Sequence, residues 1–286
     1  MRVFLTGATG YVGGAVAAAL RAGNHEVAAL VRPDAETSAL RRLSVTLISG
    51  DLAALPGLAD EGVLDGFDAF VHTAQSTTDT VALSRTAIDT FLGRNAYVLF
   101  TSGVWVLGNG KADENTATRP LPLVAWRGGH EQLVLAGGSH GVIRPGCVYG
   151  GKQSLLAGWF AAAEQGKPIE IVGDGSNRWA FIDLHDLAAC YLRILETRGQ
   201  GIFHAIDDSR VTLDQCAQAI APRGTISHIP PDAVRPKLGP FTDALLVDQE
   251  ISSDQTRKRL GWSPKRDFLG SISEQWEEFR EAVISD

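Results

Sequence analysis

From its first residues the chain alternates short apolar runs with longer stretches of helical periodicity. Arg2 to Thr6 is an apolar run with strand character, Gly14 to Ala22 is helical and stopped by Gly23, and Glu26 to Val31 is a second strand. Val45 to Ser49, Phe67 to Thr73, Ala96 to Thr101 and Gly141 to Pro145 repeat the strand pattern. Thr78 to Leu92 and Leu123 to Leu135 supply helices between the later strands, the second interrupted by Gly128-Gly129. Apolar strands alternating with helices predict an α/β fold, a Rossmann-like doubly wound parallel sheet.

Past residue 150 the elements shorten. Ser154 to Gln165 and Leu184 to Glu196 read as helices, and Pro168 to Val172 and Phe181 to Asp183 as short extended pieces. Gly201 to Ile206 returns as a strand and Thr212 to Ile220 as a helix. Thr225 to Ile229 is a strand, Pro236 to Pro240 is irregular, and Ser253 to Leu260 and Gly270 to Ile284 are helical. Gly108 to Pro122 is polar and punctuated, a surface loop. The expected division is a dinucleotide-binding core over residues 1–150, with 181–206 returning to it. Residues 151–180 and 207–286 would form a smaller C-terminal substrate lobe.

The first connection carries the sharpest motif. Gly7-Ala8-Thr9-Gly10-Tyr11-Val12-Gly13 joins strand to helix. Gly7 permits the turn, Gly10 removes a side chain that would block a diphosphate, and Gly13 lets the helix approach the sheet. Backbone N–H groups at the helix start then face the phosphates. Arg32, after the second strand, suits a 2′-phosphate and favours NADP(H) over NAD(H), although Asp34 and Glu36 stand nearby and Arg32 alone can be merely solvated. Asp51-Leu52 follows the third strand, where Asp51 either accepts from adenine or caps the next helix. Thr73 and Ala74 end the fourth strand with small side chains that let the chain run under a cofactor. His72 reads as a satisfied core histidine. Ser102 ends the fifth strand, where open parallel sheets place ligand-binding groups.

The 286 residues, 44% of them hydrophobic, suffice for a sizeable core. A net charge of −7 gives no footprint for nucleic acid. Cys147, Cys190 and Cys216 are scattered and read as buried thiols in a reducing compartment. With no room for a signal peptide and no membrane-length apolar run, a cytoplasmic protein without membrane partners is expected. No His-x-x-x-His or Cys pair has metal-ligand spacing, so no metal is expected, and His185 caps or packs.

The sequence resembles the extended and atypical short-chain dehydrogenase/reductases, including the NAD(P)-dependent epimerase/dehydratase group. The likeness rests on the glycine turn, Asp51-Leu52, Thr101-Ser102 and Arg144-Pro145-Gly146-Cys147-Val148-Tyr149-Gly150. It continues in Phe181-Ile182-Asp183-Leu184-His185-Asp186-Leu187-Ala188 and Leu260-Gly261-Trp262-Ser263-Pro264. The resemblance implies hydride transfer at a nicotinamide, a serine that orients substrate, and a Tyr-x-x-x-Lys pair ahead of a Glu. Counting back from Glu131, the Lys place holds Arg127 and the Tyr place holds Leu123. The usual proton donor is thus absent. Arg127 can still bind ribose hydroxyls or phosphate.

Three functions stay open at this point. The first is an NADP(H)-dependent oxidoreductase that reduces the carbonyl of a hydrophobic or aromatic small molecule. Its catalytic candidates are Ser102 and Tyr149, the latter as substitute proton donor or as pocket wall. Trp105, Trp126 and Trp179 are its candidate substrate-pocket residues, and Lys152, Lys167, Arg178 and Arg235 are too dispersed for a sugar diphosphate. The second is an epimerase or isomerase, and the third a catalytically silent NADP(H) sensor. A monomer is open, as is a homodimer through Thr78 to Leu92 and Leu123 to Leu135.

Overall fold

The computed structural model describes residues 1–76, 78–151 and 153–284; Lys152 therefore lies outside the described residues. The chain divides into two compact units. The first comprises Met1–Ser102, Gly129–Arg144 and Ala188–Phe203, and the second Gly103–Gly128, Pro145–Leu187 and His204–Asp286.

The first unit is built on a seven-stranded sheet. Its first five strands are β1 (Arg2–Thr6), β2 (Glu26–Val31), β3 (Thr46–Ser49), β4 (Ala69–His72) and β5 (Tyr97–Thr101). Across the sheet the order is Gly201–Ala205, Gly141–Pro145, β5, β4, β1, β2, β3. Pairing is parallel from Gly141–Pro145 through β3. Val3 to Leu5 and Ala69 to Val71 are buried, as central parallel strands covered on both faces must be. Phe70 stacks on Phe91 with centroids 4.7 Å apart, and Phe4 and Phe67 pack around them. The strand order reverses at the β1–β4 neighbourhood, where β1 also pairs β2. That is the switch point at which such sheets open a crevice at their carboxyl edge.

The second unit holds three short parallel pairs: Cys147–Tyr149 with Phe181–Asp183, Ile169–Val172 with Ile226–Ile229, and Gly110–Ala112 with Gln249–Ile251. Tyr149, Phe160, Trp179, Phe181 and Phe268 are among the buried residues of its core. The helix Leu213–Ile220 begins in a capping box in which the Thr212 and Gln215 side chains each bond the other's backbone N–H.

Local expectations fail where distant packing decides. The helix Ala125–Leu135 runs unbroken through Gly128-Gly129. Each glycine costs about 1 kcal/mol of propensity, but burial of His130, Glu131 and Val134 outweighs it. Leu123 lies ahead of it in the single turn Pro122–Val124. Pro236, in the stretch read as irregular, sits inside the helix Pro231–Leu238, which buries no residue and ends at Gly239 with φ +53°. The strand Gln249–Ile251 has no pattern of its own. Its partner lies far back in sequence, and Gln249 fixes it by donating from Nε2 to the carbonyls of Val104 and Gly108 at 2.9 and 2.8 Å. That pairing also gives the loop 108–122 its strand.

Candidate functional site

The carboxyl edge of the first sheet collects the residues singled out by motif. Register sets Thr6 of β1 beside Leu30 of β2 and His72 of β4, and Thr101 beside Ile143. The glycine turn, Arg32, Gly50-Asp51, Thr73-Ala74 and Ser102 therefore all leave the sheet on one side.

The turn after β1 is closed on one face and open on the other. A Cβ on Gly7 would lie 2.6 Å from the Ala74 nitrogen and 2.7 Å from Thr73 Oγ1, and φ there is +82°. A Cβ on Gly13 would lie 2.1 Å from the Gly7 carbonyl oxygen. Only glycine allows this approach of helix Tyr11–Ala22 to the turn. Thr73 holds the underside: its hydroxyl donates to the Thr6 carbonyl at 2.7 Å. At Gly10, by contrast, a Cβ would meet only the Gly7 oxygen, at 3.2 Å, and Gly10 is exposed. Gly10 is the N-cap of the helix and supplies no side-chain acceptor. The first N–H groups of that helix thus need an acceptor from outside, which an anion supplies. Thr9 is exposed, and Tyr11 and Val12 are half-buried beside this opening.

Other edge residues divide between support and contact. His72 is a core histidine, as read: its Nδ1 pairs with Thr6 Oγ1 at 2.7 Å and its Nε2 with Ser84 Oγ at 3.0 Å. Asp51 caps the following turn, accepting from the Ala54 N–H at 3.0 Å, and is still exposed; Leu52 is buried. The Arg32 side chain is 70% exposed, with Asp34 at 3.8 Å, so a solvated guanidinium stands at the end of β2. Ser102 donates its N–H to the Ile143 carbonyl at 2.8 Å, while its buried Oγ has no hydrogen-bond partner among the described residues.

One group escaped the sequence reading although its members were in view. Glu131 and Arg144 are buried in the first unit as a bidentate pair, with Nε–Oε1 at 2.9 Å and Nη2–Oε2 at 2.6 Å. Each belongs to a motif, but nothing in the spacing joins them.

In the second unit, Tyr149 is 0% exposed and makes edge contacts with Phe181 and Phe268. Burial, with the Asp207 carboxylate nearby, pushes its phenol far above the usual range. A proton donor must meet solvent or substrate, so this placement does not fit the donor role considered for Tyr149. Asp207 is itself pushed up to about 6 by burial. Trp179, 4% exposed, is likewise a core residue and not the pocket wall expected of it. Trp105 is half-buried against Phe241, and Trp126 carries the Arg127 guanidinium 4.5 Å above its ring.

Asp183 caps the helix Leu184–Thr197, accepting from the N–H groups of His185 and Asp186 at 2.7 and 3.1 Å. Asp183, His185 and Glu278 each bring one potential ligand atom within 4.8 Å of the others. Arg266 already occupies that cluster, 3.1 Å from Asp183 and 2.7 Å from Glu278. Burial pushes the Cys147 thiol up to about 12 and raises Cys190 and Cys216 too, so none is a poised nucleophile. Among the described residues, no helix is long and apolar enough to cross a membrane.

Comparison with known proteins bears out the resemblance. Residues 1–90 match the model of the NmrA-like family, and residues 131–205 that of the NAD dependent epimerase/dehydratase family. Uncharacterized protein YLL056C of Saccharomyces cerevisiae is 27% identical, covering 93% of this chain and 95% of that protein. A 3-diazoavenalumate denitrifying reductase of Streptomyces is also 27% identical, covering 94% of this chain and 99% of its own. Among solved structures, Pal from Bacillus thuringiensis superposes with a TM-score of 0.85 at 18% identity, covering 98% of this chain and 99% of Pal. Thermus thermophilus UDP-glucose 4-epimerase in complex with NAD gives 0.82 at 20% identity, over 99% of this chain and 100% of the epimerase. Human epimerase family protein SDR39U1 with NADPH gives 0.81 at 18%, over 98% and 100%.

Proposed function

We propose that this chain, a relative of the short-chain dehydrogenase/reductases with NmrA-like sequence in front and epimerase/dehydratase sequence behind, is a nicotinamide dinucleotide-dependent oxidoreductase acting on a small molecule. One observation carries the reading. At the sheet's switch point the glycine turn is packed shut at Gly7 and Gly13 and left open at Gly10, in front of an uncapped helix start. That is the shape and polarity a diphosphate requires.

The residues fit such a cofactor. The Gly7–Gly13 backbone, with Thr9, Tyr11 and Val12, would hold the diphosphate. Asp51 and Leu52 would bound the adenine, and Thr73 and Ala74 would floor the site. Arg32, solvated and held only loosely by Asp34, would pair a 2′-phosphate, which favours NADP(H). Arg127 is proposed as a ribose contact from its motif place alone. When bound, a reduced nicotinamide supplies hydride. The unpartnered Ser102 Oγ, at the end of β5, would orient the acceptor through a hydrogen bond.

One relative bears on the activity. The Streptomyces relative is named as a reductase of a diazo compound, which supports a reduction and widens the acceptor beyond the carbonyl first expected.

Calorimetry of the full chain with NADPH, NADH and their oxidised forms is the test. Tight binding of the phosphorylated pair and weaker binding of the other is expected. No heat with any of the four would overturn the function.

A further inference from the structure

His72 ends an apolar run. Ala69, Phe70 and Val71 before it are buried in a central parallel strand, where an imidazole costs free energy unless its polar atoms are partnered. His72 is 1% exposed, stacked on Phe100 with ring centroids 5.9 Å apart, and Phe91 meets it edge-on at 6.3 Å. Its Nδ1 shares a 2.7 Å hydrogen bond with Thr6 Oγ1, and its Nε2 a 3.0 Å hydrogen bond with Ser84 Oγ. Register sets His72 directly beside Thr6. The next residue takes hold of Thr6 by its backbone: Thr73 donates its hydroxyl and its N–H to the Thr6 carbonyl, at 2.7 and 3.2 Å. Three hydrogen bonds from two consecutive residues thus meet at Thr6, the last residue before Gly7.

The Thr6 carbonyl belongs to the peptide that opens the glycine turn. The plane of that peptide sets how the chain enters Gly7, where φ is +82°. Gly10 in turn donates its N–H to the Gly7 carbonyl at 2.9 Å. Resting on the nucleotide site proposed above, we propose that His72 is a positioning residue for that site. It holds Thr6 by the hydroxyl, and so fixes the turn whose backbone N–H groups would face the diphosphate. An apolar side chain in its place would fill the same space without directing Thr6. Ser84 bonds the opposite ring nitrogen, from helix Thr80–Leu92, and is the natural control.

Thr6→Val removes the hydroxyl at nearly constant volume, and Ser84→Ala removes the matching partner of the other nitrogen. Both should lower Tm by a few degrees, because each strands a buried ring nitrogen. Calorimetry of the full chain with NADPH and NADH, well below either melt, should separate them. Thr6→Val should bind at least about fivefold more weakly than the parent, and Ser84→Ala less than about twofold. In the nucleotide-free chain, hydrogen exchange at the Gly10 N–H should be at least about fivefold faster in Thr6→Val and unchanged in Ser84→Ala. A second pair keeps the ring's two ends apart: the His72→Asn amide stands near the Nδ1 place, and the His72→Gln amide near the Nε2 place. The Asn variant should bind nucleotide at least about threefold more tightly than the Gln variant. Parent-like binding by Thr6→Val, an equal loss in Ser84→Ala, or Gln serving as well as Asn would overturn the positioning role and leave nucleotide binding standing. A parent chain that binds neither nucleotide removes both.

Discussion

Gly13 and Gly14 are adjacent in the same helix, yet the structure assigns them opposite responses to a methyl group. In Gly13→Ala the new Cβ would lie 2.1 Å from the Gly7 oxygen, 2.6 Å from the Gly7 carbonyl carbon and 2.7 Å from Thr73 Oγ1. Two of these atoms are backbone, and the third is tied to the Thr6 carbonyl at 2.7 Å. None can yield without moving the turn or β4. Overpacking typically costs about 1–3 kcal/mol, and immobile neighbours put this site at about 3. Replacing a helical glycine by alanine returns about 1 kcal/mol. The net loss is about 2 kcal/mol, or roughly 4–8 °C in Tm for a chain of this size. In Gly14→Ala the Cβ would meet only the Ala8 oxygen, at 3.4 Å, an ordinary contact. Propensity then acts alone, and Tm should hold or rise by about 2 °C. Thermal melts of both variants beside the parent decide the matter, with calorimetry for nucleotide binding. Gly13→Ala should also weaken nucleotide affinity by at least about tenfold, since the displaced turn is the proposed cradle. A Gly13→Ala protein that melts with the parent, or a Gly14→Ala protein that falls as far, would refute the packing argument.

Three further outcomes follow from single interactions. Arg144→Met should cost about 3–5 kcal/mol by stranding the Glu131 carboxylate, and E131L/R144M should cost clearly less than the two single changes summed; urea titration checks both. Asp207 has its folded pKa raised to about 6 against 3.8 for an ordinary aspartate, so its neutral form is favoured by folding. Its contribution is therefore full below about pH 4, falls as pH rises towards 6, and is level above; Asp207→Asn should flatten that slope, worth roughly 3 kcal/mol, in melts across this window. Arg32→Ala should lower NADPH affinity by about tenfold and leave NADH unchanged, read by calorimetry; equal loss for both would mean that Arg32 does not recognise the 2′-phosphate.

The sheet and glycine turn of the first unit were legible because their signals are local. Strand, glycine turn and helix follow one another within 22 residues, and each glycine's task depends on neighbours that the same few residues and the next strands provide. The cap at Asp183 was legible for the same reason: donor and acceptor lie two and three residues apart. The absence of a tyrosine at position 123 is likewise a property of the sequence.

What only the tertiary structure decided concerns groups far apart in the chain. The burial of Tyr149 and Trp179 depends on phenylalanines brought in from 181 and 268, so a side chain that looked available as donor or wall became core. The strand Gln249–Ile251 exists because Gly110–Ala112 offers it an edge. Helix Ala125–Leu135 survives two glycines because buried contacts outweigh backbone propensity. Hydrophobic patterning specifies which residues seek burial, a local matter; which partner covers them is set by chain closure over many tens of residues, and no short window of sequence records that choice.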